Sequence, residues 1–437
     1  MIERICWILL LNLCFFFKTL TYKYTSDDIP VQQLHKDRKY RNWLEYRFLQ
    51  VRGDIRTSPQ QDHALTTILH SLLAMFIYLA FGATDISFIA ALLFSFNPIN
   101  NQGSVWISGR GYVLPPLFIL ITMTFPVLAP LTVGAAMYFN LGFVLVNMLP
   151  LWSMSFLPFI IIYAVFLRKK MHHDVKQKAD FEMFDEDKKV HPRKLILTLK
   201  TLTFYTIHAL IPIKTTFYHS FMQSLAGSGK AKGYSLDRYF WIGIPIVAGM
   251  VWKIFFTPWD LISFGLIWWF VGLLPFLNTF RLSQEIAERY AYAPLVGLML
   301  ALAHICVGNP ALTAGILAMY ATKLWFWMDS YQDDFFLVEA SCLNSPQSWF
   351  AWHVKALKRW DVQSHKEAML LWTMAKMISP KEFKILFNLA TMLKIHNQHA
   401  EADAFIKEAE RNVPKGQEKM SEKIIKDWHE GKAAILV

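Results

Sequence analysis

Charge is what this sequence has least of. Only 18% of its 437 residues are Asp, Glu, Lys or Arg, against roughly 25% in soluble domains, which excludes an ordinary soluble globular chain. Cysteine is scarce as well, with Cys6, Cys14, Cys306 and Cys342 the four present. Three of them fall in apolar runs and no CxxC pair exists, so neither a disulfide framework nor a thiolate metal site is encoded. Acidic residues are outnumbered 33 to 44, for a formal net charge of +11. In a soluble protein that excess would invite a nucleic-acid partner. Here cytoplasmic Lys and Arg that set topology and meet anionic lipid account for it, and no nucleic acid is expected. No small-residue cleavage site follows Leu20, and Lys18 and Lys23 flank the first apolar run. That run reads as a retained anchor rather than a cleaved signal peptide. Gly227-Ser228-Gly229-Lys230 lacks P-loop spacing and a preceding strand. His172-His173 has no third ligand at metal spacing.

What the chain has is apolar sequence: 54% hydrophobic and 15% aromatic residues, with a mean hydropathy of +0.29. The expected fold is all-α, a polytopic membrane protein with about eleven spans of roughly 20 residues each. They fall near 5–21, 63–82, 84–99, 111–128, 131–150, 152–168, 197–213, 238–256, 259–279, 292–307 and 309–328. The strongest basic loop runs from Arg168-Lys169-Lys170 to Lys200, and the positive-inside rule makes it cytoplasmic. Counting from it places the N-terminus inside, and the loops at 22–62, 214–237 and 280–291, with everything after 328, outside. In the first outer loop Tyr40, Trp43, Leu44, Tyr46, Arg47 and Phe48 interleave aromatics with charge. They read either as an interfacial helix or as a packed loop.

After residue 340 the composition becomes that of soluble helix. Pro346, Pro380 and Pro414 recur every 34 residues, and Ala356, Ala368 and Ala375 align with Ala390, Ala402 and Ala409. That period, with alanines where paired helices approach, points to two degenerate tetratricopeptide repeats. Two domains are therefore expected, a membrane domain at 1–335 and a small repeat domain at 340–437. The repeats either hold a protein segment in a groove or cap the membrane domain.

The unusual polar residues all fall on the outer side. Asp27 and Asp28 follow the first span, and adjacent carboxylates persist at a membrane boundary when they hold a proton, a cation or a substrate hydroxyl. A divalent cation at Asp27/Asp28 stays open; no other metal or cofactor is expected. His63 and His70 lie about two helical turns apart on one face. They suit a phosphate, a pyrophosphate or a metal, or simple packing. From Asn97 to Arg110 a polar stretch containing Gln102 and Trp106 interrupts two spans, as irregular backbone lining a cavity does. Arg110 suits a phosphate or an interfacial position. Lys214, with Tyr218 nearby, adds a point charge. Glu288-Arg289-Tyr290 adds a second arginine and a carboxylate that can pair with it.

In this order the motifs resemble the GT-C membrane glycosyltransferases, and most closely the protein O-mannosyltransferase-like group with C-terminal tetratricopeptide repeats. The resemblance rests on Asp27-Asp28, on His63 and His70, on Asn97-Pro98, Gln102, Trp106 and Arg110, and on Glu288-Arg289-Tyr290 with Tyr292 and Pro294. Asn97 stands where the family has histidine and Gln102 where it has glutamate. The resemblance implies transfer of a sugar from a polyprenyl-phosphate carrier to a protein Ser/Thr hydroxyl on the outer face, with inversion. Asp27 or Asp28 would be the general base, Asp28 being favoured by position. Arg110, Arg289, His70 and Lys214 would bind the donor phosphate, and the repeats would receive the acceptor protein. The implied location is a bacterial or archaeal plasma membrane, or the endoplasmic reticulum in a eukaryote. A lipid-linked-sugar transporter and a non-catalytic scaffold are the alternatives.

Overall fold

Apolar runs without charge cannot leave backbone groups unpaired in lipid, and they form helices. A computed structural model describes residues 1–26, 28, 58–139, 158, 161–162, 165, 192–219, 235–278, 286–413, 418–432 and 434–436. Asp27, the aromatic stretch at 40–48, most of the basic loop, most of the expected span at 152–168, part of that at 131–150, and Pro414 lie outside the described residues. So do Gly227–Lys230 and His172-His173. Among the described residues the fold is all-helical.

The apolar part is built from α1 (Ile2–Phe16), α2 (Pro59–Ala80), α3 (Asp85–Phe96), α4 (Arg110–Thr124), α5 (Ala129–Phe139), α6 (Pro192–Leu210), α7 (Arg238–Phe256), α8 (Leu261–Leu273), α9 (Leu295–Cys306) and α10 (Pro310–Met328). Among the described residues four helical stretches are long and apolar enough to cross a membrane: Ile2–Thr21, Pro59–Ala80, Ile107–Thr124 and Arg238–Phe256. Shorter apolar helices accompany them, among them Asp85–Phe96 and Leu295–Cys306. Starts are set by local chemistry. Ser58 and Gln61 close a capping box ahead of α2, with Pro59 in the first turn, and Thr84 and Ser87 do the same for α3. Asp237, Asp260 and Asn309 cap α7, α8 and α10 through their side chains. α8 and α9 meet backbone to backbone: a Cβ on Gly265 would lie 2.3 Å from the Gly297 carbonyl oxygen.

The helix ends sort into two levels. At one, Arg4 of α1 pairs with Asp85 of α3, and Lys253 at the end of α7 pairs with Asp260 at the start of α8. At the other, Tyr22 after α1 meets His63 near the start of α2, Asn97 after α3 donates to the Ala209 carbonyl near the end of α6, and Phe276 after α8 stacks on Tyr290 ahead of α9. The irregular polar segments occupy this second level.

The chain continues as α11 (Asp334–Asn344), α12 (Trp349–Asp361), α13 (His365–Ile378), α14 (Phe383–Ile395), α15 (His399–Arg411) and α16 (Glu418–His429). The pairs α12/α13 and α14/α15 start at equivalent positions 34 residues apart. The register extends to the backbone: Gln363 and Asn397, also 34 apart, both adopt the left-handed conformation, with φ of 60° and 61°. Ala356, Ala368, Ala375, Ala390, Ala402 and Ala409 are all buried where the helices meet. One apolar cluster joins Phe16, Trp106, Phe217 and Met328 to Leu337, Cys342 and Ala351, so the C-terminal helices pack on the polar end of the bundle.

His353 gives this region an acid sensitivity. Its ring is fully buried and accepts a hydrogen bond from Trp372 Nε1 at 3.1 Å. Burial, with Lys384 adding to it, lowers its pKa to about 3. Above pH 6.5 the ring is neutral whether folded or unfolded. Below that the unfolded chain takes up a proton that the folded chain refuses until about pH 3. Stability is thus expected to fall by about 2 kcal/mol between pH 6.5 and pH 5. His353→Gln should remove most of that slope in denaturant titrations followed by tryptophan fluorescence.

Candidate active site

Asp28 is buried at the polar end of the bundle. Its carboxylate takes three donors. Ser108 gives both its N–H, at 3.1 Å, and its Oγ–H to Oδ1, and the Thr25 N–H reaches Oδ2 at 3.2 Å. The Asp28 N–H returns a bond to the Thr25 carbonyl at 3.1 Å. Between them Ser26 adopts a left-handed backbone, with φ of 54°, held by Asp334 Oδ1 accepting its N–H at 2.6 Å. Strained backbone of this kind persists only where its surroundings over-determine it. Asp334 is itself paired with Lys358 of α12 at 2.6 Å, and Lys23 N–H bonds to the Gln332 carbonyl. The segment carrying Asp28 is therefore fixed from the C-terminal side of the molecule as well.

Ser108 belongs to the polar stretch between α3 and α4, which folds as short helical turns at Pro98–Asn100, Asn101–Ser104 and Ile107–Gly109. Its glycines are steric requirements. A Cβ on Gly103 would lie 2.3 Å from the Tyr292 ring, and one on Gly109 would lie 1.8 Å from the Gln102 carbonyl oxygen. The stretch carries Arg289 on its other side. Gln102 Oε1 accepts from Arg289 Nη1 at 3.0 Å, and Tyr112 Oη accepts from Nε at 3.3 Å. The guanidinium sits 5.1 Å, 5.6 Å and 5.8 Å from the ring centres of Tyr290, Trp106 and Tyr112. Gln102 is a neutral acceptor for this cation. Two buried donors beside it, Gln102 Nε2 and Trp106 Nε1, have no partner among the described residues. Buried donors are costly to leave unpaired. Together with the arginine they form a set of donors suited to an oxygen-rich anion.

Arg110 is engaged by protein groups. Its side chain is fully buried and paired with Asp62, Nη2 to Oδ1 at 3.0 Å. Nη2 also bonds to the Asp62 carbonyl, and Nε donates to Thr66 Oγ1 at 2.9 Å. Its place is structural, joining α2 to α4. His70 is also spent. Its Nε2 faces the Ser95 carbonyl at 3.1 Å, so Nε2 is the donor and Nδ1 accepts from Tyr292 Oη at 2.6 Å. Both nitrogens are thus engaged by protein groups. Among the described residues His63 shares no partner with it: its Nε2 faces the Lys23 carbonyl at 3.3 Å while Nδ1 has none. Among the described residues no three His, Cys, Asp or Glu side chains gather as a metal cluster.

Glu288 does not serve as the acid that holds Arg289. Its Oε1 accepts from the Thr216 N–H at 3.0 Å and faces His219 Nε2 at 2.8 Å, and its Oε2 accepts from Asn101 Nδ2. Tyr331 Oη donates to the other side of Asn101. This buried knot ties the short turn Asp329–Tyr331 that follows α10, the 98–104 turns and the 212–219 segment together. Asn97 is used similarly, donating to the Ala209 carbonyl at 2.8 Å and capping the Ile99 N–H. Lys214 is exposed just before the segment that delivers Thr216 and His219. Tyr218 packs edge-on against Phe217 and Phe350. Tyr290 stacks on Phe276 at 4.6 Å.

The sequence reading gave no individual role to Asp62, Ser108, Asn101, Tyr112, His219 or Tyr331. Asn101 and Ser108 lie in the polar break from Asn97 to Arg110 that it marked, and His219 directly follows Tyr218. No protein-family model and no curated protein sequence matches this chain.

Proposed function

We propose that this chain is a membrane-embedded glycosyltransferase of the GT-C type, with about eleven spans and a C-terminal tetratricopeptide-like domain from residue 340. It moves a sugar from a polyprenyl-phosphate carrier to a Ser/Thr hydroxyl of an acceptor protein, on the outer face of a plasma membrane or in the endoplasmic reticulum lumen. The observation that carries this reading is that one stretch, 102–110, holds a buried carboxylate on one side and a caged arginine on the other. Ser108 grips Asp28 while Gln102 and Trp106 frame Arg289.

A neutral hydroxyl is a poor nucleophile and needs a fixed carboxylate to take its proton as it attacks the anomeric carbon. Asp28 is fixed by three donors and serves as that base. The bond from the anomeric carbon to the phosphate oxygen breaks in the same displacement, which inverts the configuration. Negative charge grows on the departing phosphate, where Arg289 and the two unpaired donors stabilise it. Arg110 and His70 act at one remove, by holding α2, α4 and α9 in register. The 34-residue helix pairs support the role of acceptor binding.

Intact-mass measurement of surface and secreted proteins tests this. Deletion of the gene should remove a hexose- or pentose-sized increment that the wild-type gene restores, and unchanged masses would refute a protein acceptor. Gln102→Glu should place a carboxylate against Arg289 and compete with the donor phosphate. A rise of about tenfold in the donor KM, with a smaller change in kcat, is expected in a detergent-micelle assay. The second reading, a non-catalytic scaffold, draws on the internal satisfaction of Arg110, His70 and Glu288. Binding of lipid-linked sugar without turnover would mark it.

A further inference from the structure

Segment 434–436 lies across the inner helix of the second repeat. Asn388 of α14, fully buried, donates from Nδ2 to the Leu436 carbonyl at 2.8 Å and accepts the Leu436 N–H on Oδ1, also at 2.8 Å. One side-chain amide thus reads both backbone groups of a single residue, a contact that ignores side-chain identity. The side chains are received separately. Ile435 packs on the cluster containing Trp372, Ile385 and Leu389, which spans both repeats. Leu436 packs on the cluster of Phe383, Phe387 and Trp428.

The segment arrives by a sharp reversal. α16 ends where Gly431 turns left-handed, with φ of 74°. Lys432 N–H bonds to Asp427 O and Gly431 N–H to Trp428 O, the reciprocal pair that closes a helix on glycine. Beyond Asn388 the surface stays open. A cavity of about 180 Å³ is lined by Thr391, Lys394, Ile395, Trp428 and Gly431.

We propose that this face of α14 is a binding groove for an extended peptide with two consecutive aliphatic side chains, and that residues 434–436 occupy it in cis as a displaceable plug. The proposal rests on reading the repeats as a protein-binding array and not on the transfer chemistry. A peptide in trans must displace a tethered occupant whose effective concentration is in the millimolar range for a short linker. The groove is therefore closed to weak ligands and open to those that outcompete the segment or meet the chain once it is lifted.

The test reads binding alone, so its failure leaves the glycosyl-transfer reading standing. The probe is a fluorescein-labelled peptide of residues 432–437, titrated by anisotropy into the full chain and a chain ending after Lys432, both in detergent micelles. The shortened chain should bind at least about tenfold more tightly than the full chain. Adding Asn388→Ala to it should abolish binding, and a scrambled peptide should not bind. Leu436→Asp in the full-length chain should open the groove in the same direction. A folded shortened chain that ignores the peptide would overturn the proposal, as would binding indifferent to Asn388→Ala. Loss of cooperative unfolding in both the shortened chain and Leu436→Asp would do so too, by making the segment part of the core.

Discussion

Asp28→Asn is expected to lower sugar transfer by about 10²- to 10⁴-fold, the range a positioned general base contributes, while leaving the chain folded. The substitution keeps the shape of the side chain. Its amide oxygen can still accept from the Ser108 N–H and Oγ–H, as Asp28 Oδ1 does. The amide nitrogen would then face the Thr25 N–H, which bonds to Oδ2 in the native chain at 3.2 Å. Losing that bond costs about 1 kcal/mol, too little to unfold a domain. Donor affinity should change little, because the phosphate site proposed at Arg289, Gln102 and Trp106 is untouched. The signature is thus a fall in kcat with an almost constant donor KM. Asp27→Asn, made in parallel, separates the two carboxylates. Full activity in Asp28→Asn with loss in Asp27→Asn would move the base one residue back, and full activity in both would remove a carboxylate base from the mechanism.

Much of the architecture was legible in the sequence because a helix in an apolar surround is dictated by local composition. The helix expected at 238–256 is the one observed, and that at 309–328 begins one residue later. The 34-residue period was legible for the same reason: alanines at fixed spacing mark where helices touch. Site chemistry was harder to read because partner choice is a tertiary event. Arg110 and Glu288 were recognisable as unusual charges, yet nothing in Gln60-Gln61-Asp62 announces that Asp62 will claim Arg110. Asn101 meets Tyr331 across 230 positions of sequence, a distance over which no spacing rule operates. His63 and His70 do share a helix, as their spacing implied, but periodicity fixes only a helix face. Their ligands were set by Lys23 on one side and by Tyr292 and Ser95 on the other.

Asp62→Ala is expected to cost about 3–5 kcal/mol, the usual consequence of stripping one partner from a buried ion pair. Arg110 has no exposed side-chain surface, and a guanidinium there cannot shed its proton to escape. Thr66 Oγ1 would still accept from Nε, but the Asp62 carboxylate would be gone. Tyr24 Oη, which donates to Asp62 Oδ2 at 3.1 Å, would lose its acceptor in the same step. A drop in the thermal unfolding midpoint in detergent should report the loss. Pairing Asp62→Leu with Arg110→Leu should recover most of it, since two matched apolar side chains leave no stranded charge. A double variant as unstable as Asp62→Ala would show that Arg110 is held by something other than Asp62. Activity need not recover with stability. Asp62 links α2 and α4 to the strand of chain that runs from Tyr24 to Asp28. The apolar replacement rebuilds the helix contact without that hydrogen bond to Tyr24. A double variant that is stable but slow, with kcat reduced and donor KM near normal, would identify the buried pair as a positioning device for the carboxylate four residues along.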